Sequence, residues 1–304
     1  MQSYHGTGLP RQSPEPDRNE TGIERAGTSK YMTTTMERIC RRGNLPLRIL
    51  IAILVVLAVL FIGIPIAALL LQVPPELLLA SLQDPVVLDA LCLSLVTAST
   101  STLIVICFGT PIAYINARCR YPGKKIIDTI TDIPVVLPPA VAGLALLLAF
   151  GRRGLVGQYL NLYGIEIAFT TIAVIMAQVF VASPFYIRQA RTSFAGINRV
   201  YEHAARTLGA TPFKTFFSVT VPLAIAGILS GAVMTFARAL GEFGATIMFA
   251  GNLQGKTQTM PLAIYGALQG DMDASLALAV ILVIISFAVI IVIKVLTEKE
   301  GVDT

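Results

Sequence analysis

The sequence predicts an all-α membrane protein with six transmembrane helices, both termini cytoplasmic, and a cytoplasmic helical hairpin between spans 4 and 5. Three observations carry this prediction. Only 13% of the 304 residues are charged and 55% are apolar, against about 25% charged in an ordinary soluble domain. The charge is unevenly placed, with 13 of the 41 Asp, Glu, Lys and Arg residues in the first 48 positions. Six later stretches approach or exceed the length of about 20 apolar residues that a helix needs to cross about 30 Å of hydrocarbon.

This composition excludes a soluble enzyme, a disordered chain and a nucleic-acid binder that relies on clustered basic residues. Cys40, Cys92, Cys107 and Cys119 contain no pair at metal-ligand or redox spacing. The two histidines, His5 and His203, belong to no zinc or nucleophile pattern. Neither a metal site nor a catalytic residue is expected.

Residues 1–47 read as a separate N-terminal segment. It is polar and rich in Pro, Gly, Ser and Thr, cannot bury a core, and is expected to be disordered. Met32 and Met36 each begin a shorter chain whose basic stretch runs into the first span, so the upstream part also reads as a mis-assigned start. Residues 48–304 form the transmembrane domain. Span 1 covers residues 49–71, is uncharged and contains Pro65. It exceeds the about 7–15 apolar residues of a signal peptide and is expected to be retained. Span 2 covers residues 90–115 and is rich in Ser and Thr; span 3 covers 133–150 and carries Pro138-Pro139; span 4 covers 167–187. Span 5 starts near Val219 and span 6 covers 275–293.

Orientation follows from the connections, because cytoplasmic loops retain Lys and Arg. The N-terminal flank (Lys30, Arg38, Arg41, Arg42, Arg48), the 2–3 loop (Arg118, Arg120, Lys124, Lys125) and the 4–5 loop (Arg188, Arg191, Arg199, Arg206, Lys214) are basic. The 1–2 loop has no Lys or Arg, and the 5–6 loop sets Lys256 against Asp271 and Asp273. Arg152 and Arg153 fall on the outer side by this alternation and are outweighed by the loop that follows. With no Trp in the chain, Tyr must make the interfacial belts, and Tyr114, Tyr121, Tyr186 and Tyr201 sit near inner ends, with Tyr159, Tyr163 and Tyr265 near outer ones.

The 4–5 loop reads as a hairpin. Asn198 can cap a helix from Arg199 to Leu208, and Gly209 can end it in the left-handed conformation. A second helix can start at Thr211 with Pro212 at its first position, placing Phe213, Phe216 and Phe217 on one face until Pro222 opens span 5. Periodicity alone also fits an amphipathic linker on the inner membrane surface. The string EHAARTLGATPFKTFFSVTVP, residues 202–222, resembles the Glu-Ala-Ala loop of permease subunits in binding-protein-dependent ABC importers. Its paired alanines Ala204 and Ala205, its Leu208-Gly209 and its Pro222, 13 residues after the glycine, carry the likeness. The position before the alanine pair is His203, with the acid one place earlier at Glu202, so two residues are candidates to meet the partner. The resemblance implies that this loop docks into a cleft of a cytoplasmic ATPase, with Glu202 able to pair with a basic residue there.

No nucleotide site is expected on this chain. The segment GNLQGKT, residues 251–257, is one residue short of a phosphate-binding loop and follows no predicted strand. Energy must come from a separate ATPase, with ATP-Mg bound there, or from an ion gradient. The spans carry almost none of the midplane ionisable groups that gradient-driven carriers use.

Span 5 holds only Arg238 and Glu242 as charges, at a spacing that permits an ion pair. At about 1.5 Å per residue from Pro222 they lie about 24 and 30 Å along, towards the outer face. Residues 236–265, FARALGEFGATIMFAGNLQGKTQTMPLAIY, resemble molybdate permease subunits, with sulfate and thiosulfate permeases close behind; the resemblance extends to residues 137–157 and covers about residues 88–295. It implies a tetrahedral oxyanion cargo, molybdate first with sulfate or tungstate as alternatives, delivered by an external binding protein. It also implies two ATPase copies and a second permease copy, most simply a homodimer, in the cell membrane. Pro138, Pro139, Arg238, Glu242, Thr257 and Thr259 are the candidates to line or gate the path, against ordinary packing, an Arg238–Glu242 ion pair and a surface loop at Thr257 to Thr259. Gly209→Glu is expected to abolish uptake while the chain remains in the membrane, measured by transport and by membrane-fraction immunoblot; unchanged uptake would refute the docking-loop reading.

Overall fold

The computed structural model describes residues 45–299, so the expectations for residues 1–44, including the alternative starts and the disordered tail, lie outside the described residues. Every regular element among the described residues is helical. In chain order these are α1 (Leu45–Gln72), α2 (Pro75–Ser81), α3 (Pro85–Arg118), α4 (Lys124–Val136), α5 (Pro139–Phe150), α6 (Gly157–Leu162), α7 (Thr171–Gly196), α8 (Arg199–Thr207), α9 (Pro212–Thr215), α10 (Val221–Leu240), α11 (Gly244–Ala250), α12 (Met260–Leu268) and α13 (Met272–Lys299). A π-helical turn, Phe216–Thr220, joins α9 to α10. Five helices are long and apolar enough to cross a membrane, and α4 with α5 forms a sixth candidate bent by 115°.

The chain divides at Ala67/Ala68. In the first unit, α1 is apolar and its described side chains up to Ala67 are exposed, as a lipid-facing span would be. The second unit holds everything from Ala68 on. Its α3 starts at Asp84, whose carboxylate accepts from Val86 N at 2.9 Å, followed by Pro85 at the first helical position. Helix α7 starts in the same way at Thr170, whose hydroxyl faces Ala173 N.

Helices α3, α7 and α10 form one core, with Val105, Ala113, Tyr186, Ile187, Ala190, Phe194, Ala224 and Ile228 buried together. Small residues bring α10 close to α7: a Cβ on Gly227 would stand 2.3 Å from Ser193 Cβ. The Ser and Thr residues of α3 serve as interhelical glue. Buried Gln178 of α7 donates to Thr97 Oγ1 (3.2 Å) and accepts from Ser101 Oγ (2.9 Å), while Thr110 Oγ1 and Tyr186 Oη lie 2.6 Å apart. Each such contact is worth about 0.6 kcal/mol on average inside a membrane protein.

The predicted third span, residues 133–150, is not one helix. Two prolines in succession remove two backbone donors and disfavour helical geometry at the residues before them, so α4 ends at Val136 and α5 begins at Pro139. Helix α5 alone covers only about 18 Å. The pair nevertheless runs along α7 in one direction: Asp128 and Asp132 of α4 meet Arg191 and Arg188, and Ala142 and Leu146 of α5 share a core with Ala173, Val174, Ala177 and Val181. The predicted fifth span is likewise interrupted, with α10 ending at Leu240 and α11 starting at Gly244.

These two interruptions face each other. A Cβ on Gly244 would stand 2.7 Å from Pro139 Cβ, and one on Gly143 would stand 2.5 Å from Ala245 O and 2.8 Å from Ala245 Cα. Backbone cannot yield as a flexible side chain can, so Gly143→Ala is expected to destabilise the protein by about 1–3 kcal/mol. Gly196→Ala, where nothing lies within 4 Å of the added carbon, should be close to neutral. Thermal melts of the detergent-solubilised protein compare the two; equal melting temperatures would refute the tight α5–α11 contact.

Candidate functional site

The hairpin forms as the sequence predicts at its ends. Asn198 caps α8 by accepting from Val200 N at 3.0 Å, Gly209 turns the chain with φ at +85°, and Thr211 caps α9 with Pro212 at its first position. The three phenylalanines form one cluster, with Phe216 and Phe217 also packed at 5.0 Å between ring centroids, but their exposures differ. Phe213 and Phe217 are exposed and pair with each other at 4.6 Å between ring centroids, whereas Phe216 turns inward against Tyr114 (4.8 Å) and Phe194 (6.2 Å).

The tip of the hairpin presents apolar surface. Leu208 is 89% exposed, Phe213 74% and Phe217 54%; His203, Ala204 and Gly209 are also exposed, and Ala205 is half-buried. Glu202 is not part of this surface. Its carboxylate is buried, with Oε1 accepting from Thr220 Oγ1 at 3.0 Å and lying 3.2 Å from Arg118 Nη2. The expectation that Glu202 pairs with a residue of a partner thus meets a carboxylate that is turned inward and already faces an internal cation. Arg118 in turn donates from Nη1 to Ile197 O (2.9 Å), and Arg199 Nη2 donates to Arg118 O (2.9 Å). Sequence reasoning missed Arg118 and Thr220 in this role. Arg118 was legible only as one basic residue at the end of a span, since its partner lies 84 positions away.

The path candidates fall into two groups. Pro139 lies against Gly244 at the facing helix breaks, with Pro138 adjoining it. At the N-terminal edge of α11, Glu242 accepts no water-exposed contact: it is fully buried, its Oε1 accepts from Ala245 N at 2.8 Å, and its Oε2 lies 2.7 Å from Arg238 Nη2. The ion pair permitted by the spacing therefore forms, and its carboxylate also caps α11, where an anion is favoured. Arg238 keeps 28% of its side-chain exposure. Thr257 and Thr259 are elsewhere and do not lie in a surface loop. Both are buried; Thr257 Oγ1 accepts from Leu253 N at 2.9 Å, closing the turn that precedes α12. The adjoining Met260 N donates to Ser94 Oγ of α3 at 2.7 Å. Outside both groups, Arg152, the awkward charge of the predicted outer loop, is offset by Glu166 at 3.0 Å.

Residues 106–299 match the family model described as the binding-protein-dependent transport system inner membrane component. The chain belongs to that family. The permease is 41% identical over 246 residues to the molybdenum transport system permease protein ModB of Mycobacterium tuberculosis, covering 81% of this chain and 93% of that one. It is 32% identical over 246 residues to the probable sulfate transport system permease protein cysT of Zygnema circumcarinatum, covering 80% of this chain and 85% of that one. Its fold is similar to that of a chain in a bacterial ABC transporter that imports the acidic polysaccharide alginate, with a TM-score of 0.69 at 14% identity over 88% of this chain and 99% of that one. The permease is thus a multi-pass membrane protein of a transport system. The family match covers the hairpin, both helix breaks and the Arg238–Glu242 pair.

Removing one member of a buried ion pair costs about 3–5 kcal/mol, and the partial exposure of Arg238 lowers that to about 2–3 kcal/mol. Arg238→Gln is expected to reduce the folded permease recovered from membranes, because Glu242 is left buried without its cation. Arg238→Gln combined with Glu242→Gln should recover most of the loss, read by fluorescence-detected size-exclusion chromatography. A double variant no more stable than Arg238→Gln alone would refute the mutual dependence.

Proposed function

We propose that this permease carries molybdate inward, taking it from an external binding protein and using ATP hydrolysed by two copies of a separate cytoplasmic ATPase, with ATP-Mg bound there and no cofactor on this chain. The observation that carries the reading is the hairpin, an exposed apolar tip held on a buried polar joint. Surface of that kind on the inner side of a membrane protein fits a soluble partner better than water. The greater identity to the molybdenum permease than to the sulfate permease, over alignments of 246 residues each, favours molybdate as cargo.

In this reading α4 and α5 count as one broken span, giving six, and both termini are cytoplasmic. Arg188, Arg191, Arg118 and Arg199 then gather at the inner ends of α3 and α7. His203, Ala204, Ala205, Leu208 and Gly209 form the docking surface. A second copy of the permease completes the path. Ser230, Met234, Ala237 and Gly241 form an uncovered stripe on α10, and Arg238 beside it is a charge that lipid would not accommodate. The path then runs past the facing breaks, where Pro138, Pro139, Arg238 and Glu242 adjoin the entry of α11. Thr257 and Thr259 support the turn behind it.

Vesicles containing the permease and its ATPase, supplied with binding protein and labelled molybdate, should show ATP-dependent uptake that excess sulfate reduces only weakly. Uptake that followed a proton or sodium gradient without ATP would overturn the class, and strong competition by sulfate would overturn the cargo.

A further inference from the structure

The internal contact of Glu202 has a meaning beyond docking. Glu202 sits on α8, Thr220 at the last position of the π turn before α10, and Arg118 in the last turn of α3. A single carboxylate oxygen, Glu202 Oε1, is met by both partners, at 3.0 and 3.2 Å, with all three side chains largely withdrawn from solvent. Two backbone contacts surround it, from Arg118 to Ile197 O and from Arg199 to Arg118 O. Three elements that are distant in sequence are therefore tied at one point, directly beneath the exposed tip.

We propose that the Arg118–Glu202–Thr220 contact is the joint through which movement of the hairpin reaches α3 and α10. It rests on the reading of the chain as an ATP-driven permease. Glu202 is thereby a positioning residue that acts within the chain, and the exposed surface of His203, Ala204 and Leu208 is left to meet the ATPase. The geometry suits this work. Arg118 Nη2 and Nε have no aligned hydrogen-bond acceptor, so the attraction to Glu202 is set by distance between charges more than by angle. The charge contact to α3 therefore tolerates a small rotation of α8, while the directional hydrogen bond from Thr220 ties Glu202 to the start of α10. The second arm of the hairpin is continuous with α10 through the π turn, and α10 ends beside the Arg238–Glu242 pair. A push on α8 is thus delivered at the near end of the helix whose far end borders the facing breaks.

The complete transporter in proteoliposomes tests the joint, with molybdate as the probe, by measuring uptake per ATP hydrolysed and the ATPase recovered with the permease. Glu202→Gln keeps the size of the side chain and an acceptor for Thr220 while removing the charge. It should lower uptake per ATP at least fivefold with the ATPase recovered at the wild-type ratio. Arg118→Gln should do the same, and the double variant should lose no more than either single, as expected of two residues in one contact. Reduced recovery of the ATPase with Glu202→Gln would return Glu202 to the docking surface and overturn the proposal. Unchanged uptake per ATP, or losses that multiply in the double variant, would overturn it too. Absence of ATP-dependent uptake in the wild-type vesicles would instead refute the importer reading beneath it.

Discussion

The rest of the structure depends on one constraint: a charge or polar group taken out of water must find a partner inside the protein, because hydrocarbon supplies none. Ion pairs meet this demand at four places on or beside α3, α4, α7, α8 and α10. Asp128 and Asp132 meet Arg191 and Arg188, Arg118 meets Glu202, and Arg238 meets Glu242. The pairs do different work because their exposures differ. Those of α4 are partly open to solvent and each contributes little stability alone, but together they set which part of α7 the helix lies against. The two whose carboxylates are buried fix a hairpin to its spans and a helix break to its neighbour.

The same constraint explains why the two interruptions lie together. A broken helix exposes backbone groups that lipid cannot satisfy, so a break at membrane depth is tolerated only where protein or a polar cavity surrounds it. Pro138-Pro139 opens one span and the Gly241 to Phe243 segment opens another. Each lies against the other through Pro139 and Gly244. The glycine at 143 allows α11 to close on α5, and the Glu242 carboxylate takes up the Ala245 amide that the break leaves free.

Much of this was legible in the sequence, and what was not has a physical reason. The spans, the caps at Asn198 and Thr211 and the turn at Gly209 depend on residues within a few positions of one another. Local chemistry therefore places them. The Arg238–Glu242 pair was legible for the same reason, since four residues on a helix face one way. The inward turn of Glu202 was not, because it depends on Arg118, 84 positions earlier, and on a π turn that no local propensity announces. The burial of Thr257 and Thr259 was hidden for a similar reason. Their stretch is polar enough to read as a surface loop, and only the approach of α3 through Ser94 shows it to be packed. The bend between α4 and α5 was half legible: two prolines mark a break, but no local propensity announces its angle of 115°.

The pairing of Arg238 bears on how a permease can handle an anion without trapping it. A lone guanidinium about 4 Å from a unit negative charge, in surroundings of intermediate dielectric, attracts it by about 4 kcal/mol. At about 1.4 kcal/mol per tenfold change in affinity, that slows release by roughly a thousandfold. With Glu242 held against it at 2.7 Å, most of this attraction is already spent within the pair, which presents a dipole in place of a full charge. A span with one balanced pair and no free charge suits a transporter whose energy is supplied from outside the membrane.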